Sequence, residues 1–373
     1  MKLTKIVATI GPATESEKII QKLIKEGVDV FRFNLKHNHP RWHLKMLRKV
    51  NMIAKKMKKI ISTLFDIPQS DINTVKKFLP YITKDVDFLA LSLIESEKEI
   101  ETIQKLKLHT KIIGKIETDK AIKNFEKILQ RSQAIMVARG DLGKNIPFEK
   151  VPYYQKMIIK KCLEKGKPVI TATQMLKSMT DNPSPTRAEV SDVANAVLDY
   201  TDAVMLSEET AIGKYPVEAV STMAKIVEFW ERQRPVVSGI NFELDHQTKA
   251  VCYSAYQMWK INIIQKEKIK AFVVITKGGM SVQMLSRLRP TLPIIAITND
   301  SLLLRRLSLV YGVFPYYLPE TPYKKRSPSD IKKMLLLVKK EGFAKSGDKI
   351  ILIYSEDWKH EGKTNIVRVQ EIP

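Results

Sequence analysis

Short apolar runs rich in β-branched residues recur along the first part of the chain, and an amphipathic segment follows each of them. Such runs are typical of strands that are buried on both faces. Apolar positions at three- and four-residue spacing predict helices between the runs, for example over 16–26 and 148–165. Eight alternations of strand and helix predict a parallel (β/α)8 TIM barrel. The predicted strands are 5–11, 29–35, 59–66, 88–93, 111–117, 134–140, 167–173 and 203–209.

After the barrel the pattern predicts a second, smaller α/β domain. Residues 229–243 contain a proline and a glycine and are typical of a linker. We therefore expect a barrel domain over 1–234 and a C-terminal α/β domain over 235–373. The predicted C-terminal strands are 271–276, 293–298, 312–317 and 349–354, and the predicted helices are 248–262, 281–287 and 301–310.

Polar side chains follow the apolar runs of the predicted barrel. The carboxyl ends of the strands are where barrels of this kind build their active sites. A packing core has no need of polar side chains at these positions, so we expect a functional site there. The side chains expected at the strand ends are Arg32, Asn34, Asp66, Lys115, Glu117, Asp141, Thr173, Ser207 and Glu209.

Two carboxylates and one ammonium group are expected to meet at one rim of the barrel. Glu117 and Asp141 end neighbouring strands, and Lys115 precedes Glu117 on the same face. A single acid of this kind is more often an exposed ion pair, but the barrel context favours a site. Oxygen ligands without nitrogen or sulfur suit Mg2+ or Mn2+. Lys115 is then available to neutralise the charge of a substrate.

The composition limits the possible partners and location. The formal charge of +23 suggests a nucleic-acid partner, but the 63 basic residues are spread over all predicted helices, so we expect no specific nucleic-acid binding. Cys162 and Cys252 are too few for a disulfide scaffold and indicate a reducing compartment. No signal peptide or long apolar span is evident. We expect a cytoplasmic location and no membrane partner.

Several long blocks resemble one enzyme family, the pyruvate kinases, in the same order along nearly the full chain. The blocks are TKIVATIGPA at 4–13, MVARGDLG at 136–143, KPVITATQML at 167–176, NPSPTRAEVSDVANA at 182–196 and MLS at 205–207. The resemblance implies phosphoryl transfer from phosphoenolpyruvate to ADP, giving pyruvate and ATP in glycolysis. It also implies Mg2+ (or Mn2+), usually K+, and a homo-oligomer, which is a tetramer by family resemblance.

The resemblance also implies a role for each site residue. Glu117 and Asp141 correspond to the divalent-metal ligands, and Lys115 to the group that stabilises the phosphoryl in transit. Arg32 corresponds to the phosphate-binding arginine. The other positions that match substrate-binding or proton-relay residues are Asn34, His37, the backbone amides of Gly140 and Asp141, Thr173 and Ser207. These roles agree with the physical demands of phosphoryl transfer, which are positioning and charge neutralisation.

The chain differs from the family after the third strand. In the family a small β domain is inserted there and closes over the nucleotide. Here DIPQSDIN occupies 66–73, and the fourth predicted strand begins at residue 88. We expect this lid domain to be absent, together with an arginine and a lysine on its loop. Because exclusion of water strengthens electrostatic stabilisation, an open site is expected to be slower or leakier.

A second difference concerns the monovalent cation. A serine that helps to hold K+ in the family is replaced by Lys36, and a threonine by Ile67, so that only Asn34 and Asp66 remain of the usual ligands. An ammonium group can supply the charge of K+ without a cage of oxygens. We therefore expect that K+ is not required, the alternative being that Lys36 simply points to solvent.

The C-terminal domain resembles the effector-binding domain of the family. Thr276, Gly278, Gly279 and Ser281 match its phosphate-binding turn, where hydroxyls and amides at a helix start can receive an anion. Met280 replaces an arginine, so a plain β-to-α turn is the alternative reading. The loop over 358–365 corresponds to the second loop of this binding site in the family. Its Lys359 and Lys363 could contact a second phosphate.

The sequence is compatible with three functions. The first is a pyruvate kinase with an open, lidless site. The second is a metal-dependent lyase or decarboxylase of a pyruvate-like 2-oxo acid, because a divalent cation held by Glu117 and Asp141 can stabilise an enolate without phosphate. The third is a non-catalytic homologue that senses an effector. Retention of Lys115 beside the two carboxylates favours a catalytic function.

Overall fold

A computed structural model describes the whole chain except residues 238, 239, 241, 265–268, 319–327 and 357–361. The chain forms two compact units, Met1–Pro235 and Val236–Pro373. Each is built around its own apolar core. The first unit carries the predicted barrel, and the second carries the smaller α/β sheet.

The first unit is a closed barrel of eight parallel strands in sequential order, as predicted. β1 pairs with both β2 and β8, which closes the barrel. All six residues of β1 are buried, because one face packs inside the barrel and the other packs against helices. The strands are β1 Lys5–Ile10, β2 Val30–Asn34, β3 Ser62–Ile67, β4 Phe88–Leu91, β5 Lys111–Ile116, β6 Ala134–Ala138, β7 Val169–Ala172 and β8 Ala203–Leu206.

Helices surround the barrel and are delimited by local capping signals. Ser16 caps the first helix by accepting a hydrogen bond from the Ile19 amide, and Gly166 ends a long helix in the left-handed conformation. The barrel helices are α1 Glu17–Lys25, α2 Pro40–Lys56, α3 Ile72–Phe78, α4 Glu97–Gln104, α5 Asp119–Lys123, α6 Phe125–Arg131, α7 Arg139–Asn145, α8 Val151–Lys165, α9 Arg187–Leu198, α10 Glu208–Ala211 and α11 Pro216–Gln233.

Seven of the eight barrel strands end one to three residues earlier than the sequence pattern predicted, and three of these differences concern the site. β6 ends at Ala138 rather than Gly140, so Asp141 lies in the first turn of α7 rather than in a loop directly after the strand. β8 ends at Leu206, and Glu209 lies in the first turn of α10. β7 ends at Ala172, one residue before Thr173. The predicted linker was also wrong at its start, because α11 continues to Gln233.

The second unit is a five-stranded sheet in the order β11-β10-β9-β12-β13. The side chains of β9 alternate between two apolar clusters, with Phe272 and Val274 on one face and Val273 and Ile275 on the other. The elements are α12 Gln247–Ile264, β9 Ile269–Ile275, α13 Met280–Ser286, β10 Ile294–Thr298, α14 Ser301–Arg306, β11 Val313–Tyr317, α15 Pro328–Lys340, β12 Lys349–Tyr354 and β13 Ile366–Glu371.

The second unit contains one strand and one helix that the sequence pattern did not predict, and the helix is α15. The four predicted strands are present, and β13 adds an antiparallel edge strand next to β12. The barrel followed by a smaller α/β unit is therefore confirmed as the fold class. Within the described part of the chain, no helix combines the length and apolar character that a membrane crossing needs.

Candidate functional site

The carboxyl ends of the barrel strands open into a cavity of about 560 Å³. Its walls include most of the side chains that the sequence predicted for the site. They are Arg32, Asn34, Lys36, His37, Lys115, Glu117, Asp141, Thr173 and Ser207. Gly140 lies on a smaller adjoining cavity of about 260 Å³, which also contacts Asp141, Thr173 and Ser207. The fold thus brings these residues together from five of the eight strand ends, those of β2, β5, β6, β7 and β8.

A buried carboxylate, Asp66, joins the two cations of the cavity. The Arg32 guanidinium reaches its Oδ2 with two nitrogens, at 2.8 Å from Nε and 2.7 Å from Nη2. The Lys115 ammonium lies 3.1 Å from its Oδ1. Ser92 donates to the same Oδ1 at 3.2 Å and accepts from Lys115 at 2.6 Å. Both oxygens of Asp66 are therefore already engaged.

This network keeps its members charged. Burial raises the pKa of Asp66, but the neighbouring charges of Lys115 and Arg32 outweigh it and hold that pKa below its ordinary value. Burial lowers the pKa of Lys115, but Asp66 and Glu117 outweigh it and hold that pKa above its ordinary value. A carboxylate and an ammonium are thus both present near neutral pH, in fixed positions and largely out of water.

Each of the two candidate metal ligands is paired with a lysine. Glu117 is buried, and its Oε1 lies 2.9 Å from the Lys115 ammonium while its Oε2 accepts from the Leu93 amide at 2.6 Å. Asp141 is about half exposed and pairs with Lys144 at 2.9 Å. The Glu117 carboxylate is thus held in one position, whereas the Asp141 carboxylate is free to exchange Lys144 for another cation.

These two carboxylates fit a divalent cation that keeps water or substrate ligands. Within the described residues there is no cluster of three or more His, Cys, Asp or Glu side chains that could hold a metal by themselves. Mg2+ is usually held by one or two carboxylates plus water and substrate oxygens. The donor set therefore fits Mg2+ or Mn2+ whose remaining coordination positions are filled by water or by an anionic substrate.

The turn after β7 holds Thr173 in an uncommon conformation. Thr173 and Gln174 have positive φ angles of 69° and 56°, and such conformations persist only where neighbouring contacts impose them. Thr173 Oγ1 accepts a hydrogen bond from the Gly140 amide at 2.8 Å. Arg139 donates to the Thr173 carbonyl at 2.7 Å and pairs with Asp192 at 2.6 Å. Arg139 thus fixes this turn.

Ser207 lies at the end of β8 beside a buried acid. The Ser207 amide donates to Glu209 at 2.7 Å, and the Leu176 amide donates to the other Glu209 oxygen at 3.1 Å. Burial raises the pKa of Glu209. The Ser207 hydroxyl is buried and has no hydrogen-bond partner among the described residues. Since such a group usually has a partner, its position suits a substrate or water contact.

The candidate monovalent-cation residues lie at one edge of the cavity. Lys36 and His37 are exposed, and the Lys36 amide donates to Asn34 Oδ1 at 3.2 Å. The contacts described for Asp66 are with Arg32, Lys115 and Ser92, and Lys36 is not among them. The substitution of K+ by the Lys36 ammonium therefore stays a prediction.

The candidate effector turn of the second unit is internally hydrogen-bonded. Thr276 Oγ1 accepts from the Gly279 amide at 2.8 Å, and Gly279 has a φ of +87°. Ser281 Oγ lies 2.6 Å from Thr364 Oγ1, and the two hydroxyls share a hydrogen bond. Gly278 lies within the same turn. Lys359 lies outside the described residues, and an effector role for this turn stays a prediction.

Three residues near the site were missed by reasoning from the sequence. Ser92 directly follows β4, so its position at a strand end was a usable signal. Arg139 and Asn145 lie in α7, and they contact Thr173 and Glu117, which are about 30 residues away along the chain. Asn145 donates to the backbone carbonyls of Glu117 and Asp141, each at 3.0 Å.

Comparison with known proteins agrees with this geometry. A sequence model of the pyruvate kinase barrel domain matches residues 1–78 and 76–220, and one of the pyruvate kinase alpha/beta domain matches residues 249–370. The pyruvate kinase of Geobacillus stearothermophilus is 32% identical over 99% of this chain and 80% of its own length. That of Thermococcus litoralis is 31% identical over 99% of this chain and 98% of its own length. The chain belongs to the pyruvate kinase family.

The resemblance inferred from the sequence blocks is thereby confirmed. As a pyruvate kinase family member the chain is an enzyme of the phosphotransferase class, and membership generally implies a divalent metal cofactor. The alignment with the Geobacillus relative spans 477 positions, whereas this chain has 373 residues, so that relative carries segments that this chain lacks. The barrel match is interrupted at residues 76–78, between β3 and β4.

Proposed function

We propose that this chain transfers the phosphoryl group of phosphoenolpyruvate to ADP, giving pyruvate and ATP, in a site without a lid domain. One observation carries the proposal: Lys115 lies between Asp66 and Glu117, at 3.1 and 2.9 Å, at the base of the cavity. Phosphoryl transfer needs positioned positive charge more than covalent chemistry. A charged, buried and fixed ammonium meets that need.

The remaining groups of the cavity take complementary roles. Arg32 binds the phosphate of the substrate, because Asp66 and Thr9 already fix its guanidinium in orientation. The Asp141 amide at the start of α7, together with Asn34 and His37, completes the substrate contacts, whereas the Gly140 amide already donates to Thr173 Oγ1. Glu117 and Asp141 hold Mg2+ (or Mn2+), which supplies Lewis-acid charge stabilisation when bound.

The second half of the reaction is a protonation. Enolpyruvate must gain a proton at carbon to become pyruvate, and the hydroxyls of Thr173 and Ser207 lie on both cavities of the site. Thr173 is fixed by the Gly140 amide and by Arg139. We assign these two hydroxyls to the path along which the proton reaches the substrate.

Absence of the lid is supported by the connection between β3 and β4. The twenty residues from 68 to 87 contain α3 and one short turn and no strand, and the described residues form only the barrel and the C-terminal sheet. Leu93 and Ile212 line the cavity and are 45% and 61% exposed. Exposed apolar side chains at the rim are in keeping with a site that nothing covers.

Further features are proposed on the family resemblance. The enzyme is independent of K+, which is a difference from the family, because Lys36 replaces a serine that helps to hold K+ there. It is a cytoplasmic homo-oligomer, a tetramer as in the family. Its substrates are phosphoenolpyruvate and ADP, and its products are pyruvate and ATP.

A coupled assay with phosphoenolpyruvate, ADP and Mg2+ tests the proposal when ATP and pyruvate are measured separately. Formation of both in the presence of ADP is the expected result. Pyruvate without ATP would instead indicate a phosphatase. The absence of both products would contradict the proposal.

The alternative enzyme is a metal-dependent decarboxylase of a 2-oxo acid. It is favoured by the same uncovered rim, because stabilising an enolate with a divalent cation does not need a nucleotide. Metal-dependent decarboxylation of oxaloacetate, without ATP formation from phosphoenolpyruvate, would select this reading. The non-catalytic alternative has less support, since the Thr276 hydroxyl already accepts from the Gly279 amide and the Ser281 hydroxyl is already paired with that of Thr364.

A further inference from the structure

Asn145 connects the two segments that carry the candidate metal ligands. It is the last residue of α7, and Asp141 lies in the first turn of the same helix. Its side-chain amide nitrogen donates to the Asp141 carbonyl and to the Glu117 carbonyl, each at 3.0 Å. An amide nitrogen carries two hydrogens, so both donors are used. One side chain thus ties α7 to the residue that follows β5.

The two ligand segments are otherwise held unequally. The Glu117 carboxylate is buried and fixed by Lys115 and by the Leu93 amide. The Asp141 side chain is about half exposed, and its described ion pair is with Lys144, which is itself 76% exposed. Exposed pairs of this kind contribute little fixed geometry. The distance between the two carboxylates therefore depends on how the α7 backbone is held against Glu117, and Asn145 makes that contact.

We propose that Asn145 is a positioning residue of the divalent-metal site, which sets the affinity for the cation by fixing the Glu117 and Asp141 backbones relative to each other. The proposal rests on the assignment of these two residues as metal ligands in the proposed function. Mg2+ demands near-ideal octahedral geometry, so ligands that are placed in advance bind it more tightly. Residues that orient metal ligands typically change metal affinity about 10- to 100-fold when they are replaced.

The role can be separated from folding because Asn145 is exposed at the end of a short helix. Its removal leaves one exposed and one partly buried carbonyl without this donor, which costs less stability than leaving a fully buried group unpaired. Asn195 provides a matched control. Its amide also donates to the carbonyl four residues earlier, that of Ser191 at 2.8 Å, on an exposed face of α9 away from both cavities.

The test is a titration of the full chain with Mn2+ in the absence of substrate. The concentration of free Mn2+ is measured at each point by electron paramagnetic resonance. Asn145→Ala and Asn145→Leu should weaken Mn2+ binding about 10-fold. Asn195→Ala should bind Mn2+ like the parent, and Glu117→Gln should bind much more weakly. The midpoint of thermal unfolding without metal should shift no more in the Asn145 variants than in Asn195→Ala.

The outcomes separate this proposal from the function on which it rests. Unchanged Mn2+ affinity in both Asn145 variants, with weakened binding in Glu117→Gln, overturns the role of Asn145 and leaves the metal site standing. Equal weakening in Asn195→Ala also overturns it, because the effect is then not specific to the site. A parent that binds no Mn2+, or a Glu117→Gln variant that binds like the parent, overturns the metal assignment and this proposal with it.

Discussion

The buried charges of the barrel cavity are stable because each one lies against an opposite charge. Asp66 binds Arg32 through two nitrogens and Lys115 through one, and Lys115 also binds Glu117. Leaving one partner of such a set unpaired typically costs several kcal/mol, because a buried charge remains without compensation. The same pairing fixes the positions of the charges, which is what a reaction that moves phosphoryl charge requires.

Replacement of Lys115 should reduce turnover more than substrate binding. Lys115→Met removes the central ammonium, and we expect kcat to fall at least ~100-fold with little change in KM, which is the scale for losing one preorganised charge contact. Since its pKa is raised, the parent lysine stays charged and the loss should be similar between about pH 6 and pH 9. Steady-state kinetics at several pH values measure both quantities.

Lys115→Arg is the control for folding, because it retains a positive charge between the two carboxylates. It should unfold at nearly the parental temperature, while its displaced charge still lowers kcat. An effect of Lys115→Met on KM alone would make Lys115 a binding residue and would contradict the role proposed for it.

Lys36 gives the second prediction at this scale, which concerns monovalent cations. If its ammonium replaces K+ beside Asn34, activity should be flat when Na+ is exchanged for K+. Lys36→Ser removes the charge and restores one oxygen ligand, so this variant should lose activity in Na+ and recover part of it as K+ is raised. Lys18→Ser, on an exposed face of α1, is the control. A parent that requires K+ would show that Lys36 does not serve this purpose.

At the scale of secondary structure, the sequence predicted the strands well and their ends less well. Strand interiors are marked by continuous apolar runs, which only a doubly covered parallel sheet requires. The run before Asp141 ends in Ala138, and α7 begins directly at Arg139 without a proline or a capping side chain. The sequence pattern therefore predicted the end of the strand at Gly140, two residues too late, and placed Asp141 in a loop rather than in a helix. β13 was missed because it is a partly exposed edge strand.

Contacts between elements were the least predictable part of the site. The roles of Ser92 and Asn145 depend on which strands are neighbours and on where each helix starts. Ser92 reaches Asp66 across β3 and β4, and Asn145 reaches Glu117 across β5 and β6. A resemblance transfers the residues of family motifs, and neither of these residues belongs to a motif that was recognised. Only the packed barrel brings them to the site.

The close approach of β1 to α10 provides a test at this scale. A Cβ on Gly11 would lie 2.3 Å from the Ala211 carbonyl oxygen, so Gly11→Ala must push α10 away from the strand. We expect a loss of about 1–3 kcal/mol in the free energy of unfolding, as for other overpacked sites. The same shift should lower kcat, because α10 follows Ser207 directly. Urea unfolding and steady-state assays measure the two effects.

Gly143→Ala is the matched control within the barrel. Its Cβ would lie 3.6 Å from Val151, an ordinary contact, and alanine favours a helix such as α7 over glycine. This variant should be as stable as the parent or slightly more stable. If Gly11→Ala were equally harmless, the approach of β1 to α10 would not constrain the position of Ser207.

For the molecule as a whole, the charge distribution and the proposed open cavity should have opposite effects on anionic substrates. The formal net charge of +23 attracts phosphoenolpyruvate and ADP alike at low ionic strength. Inside the cavity, however, Arg32 and Lys115 are already paired with Asp66 and Glu117. Long-range attraction therefore speeds encounter, whereas the final affinity depends on the few contacts that each substrate can make within the barrel.

These contacts favour phosphoenolpyruvate over the nucleotide. In the proposed function the barrel supplies groups for a phosphate and a carboxylate, namely Arg32, the Asp141 amide and the metal ligands. The short β3 to β4 connection supplies no cover for ADP. Calorimetry should therefore show weaker binding of ADP than of phosphoenolpyruvate in the presence of Mg2+. Because water reaches an uncovered site, pyruvate should also form faster than ATP when ADP is limiting. Tight ADP binding, together with strictly equal formation of pyruvate and ATP, would mean that the nucleotide side is closed in another way and that the site is not open.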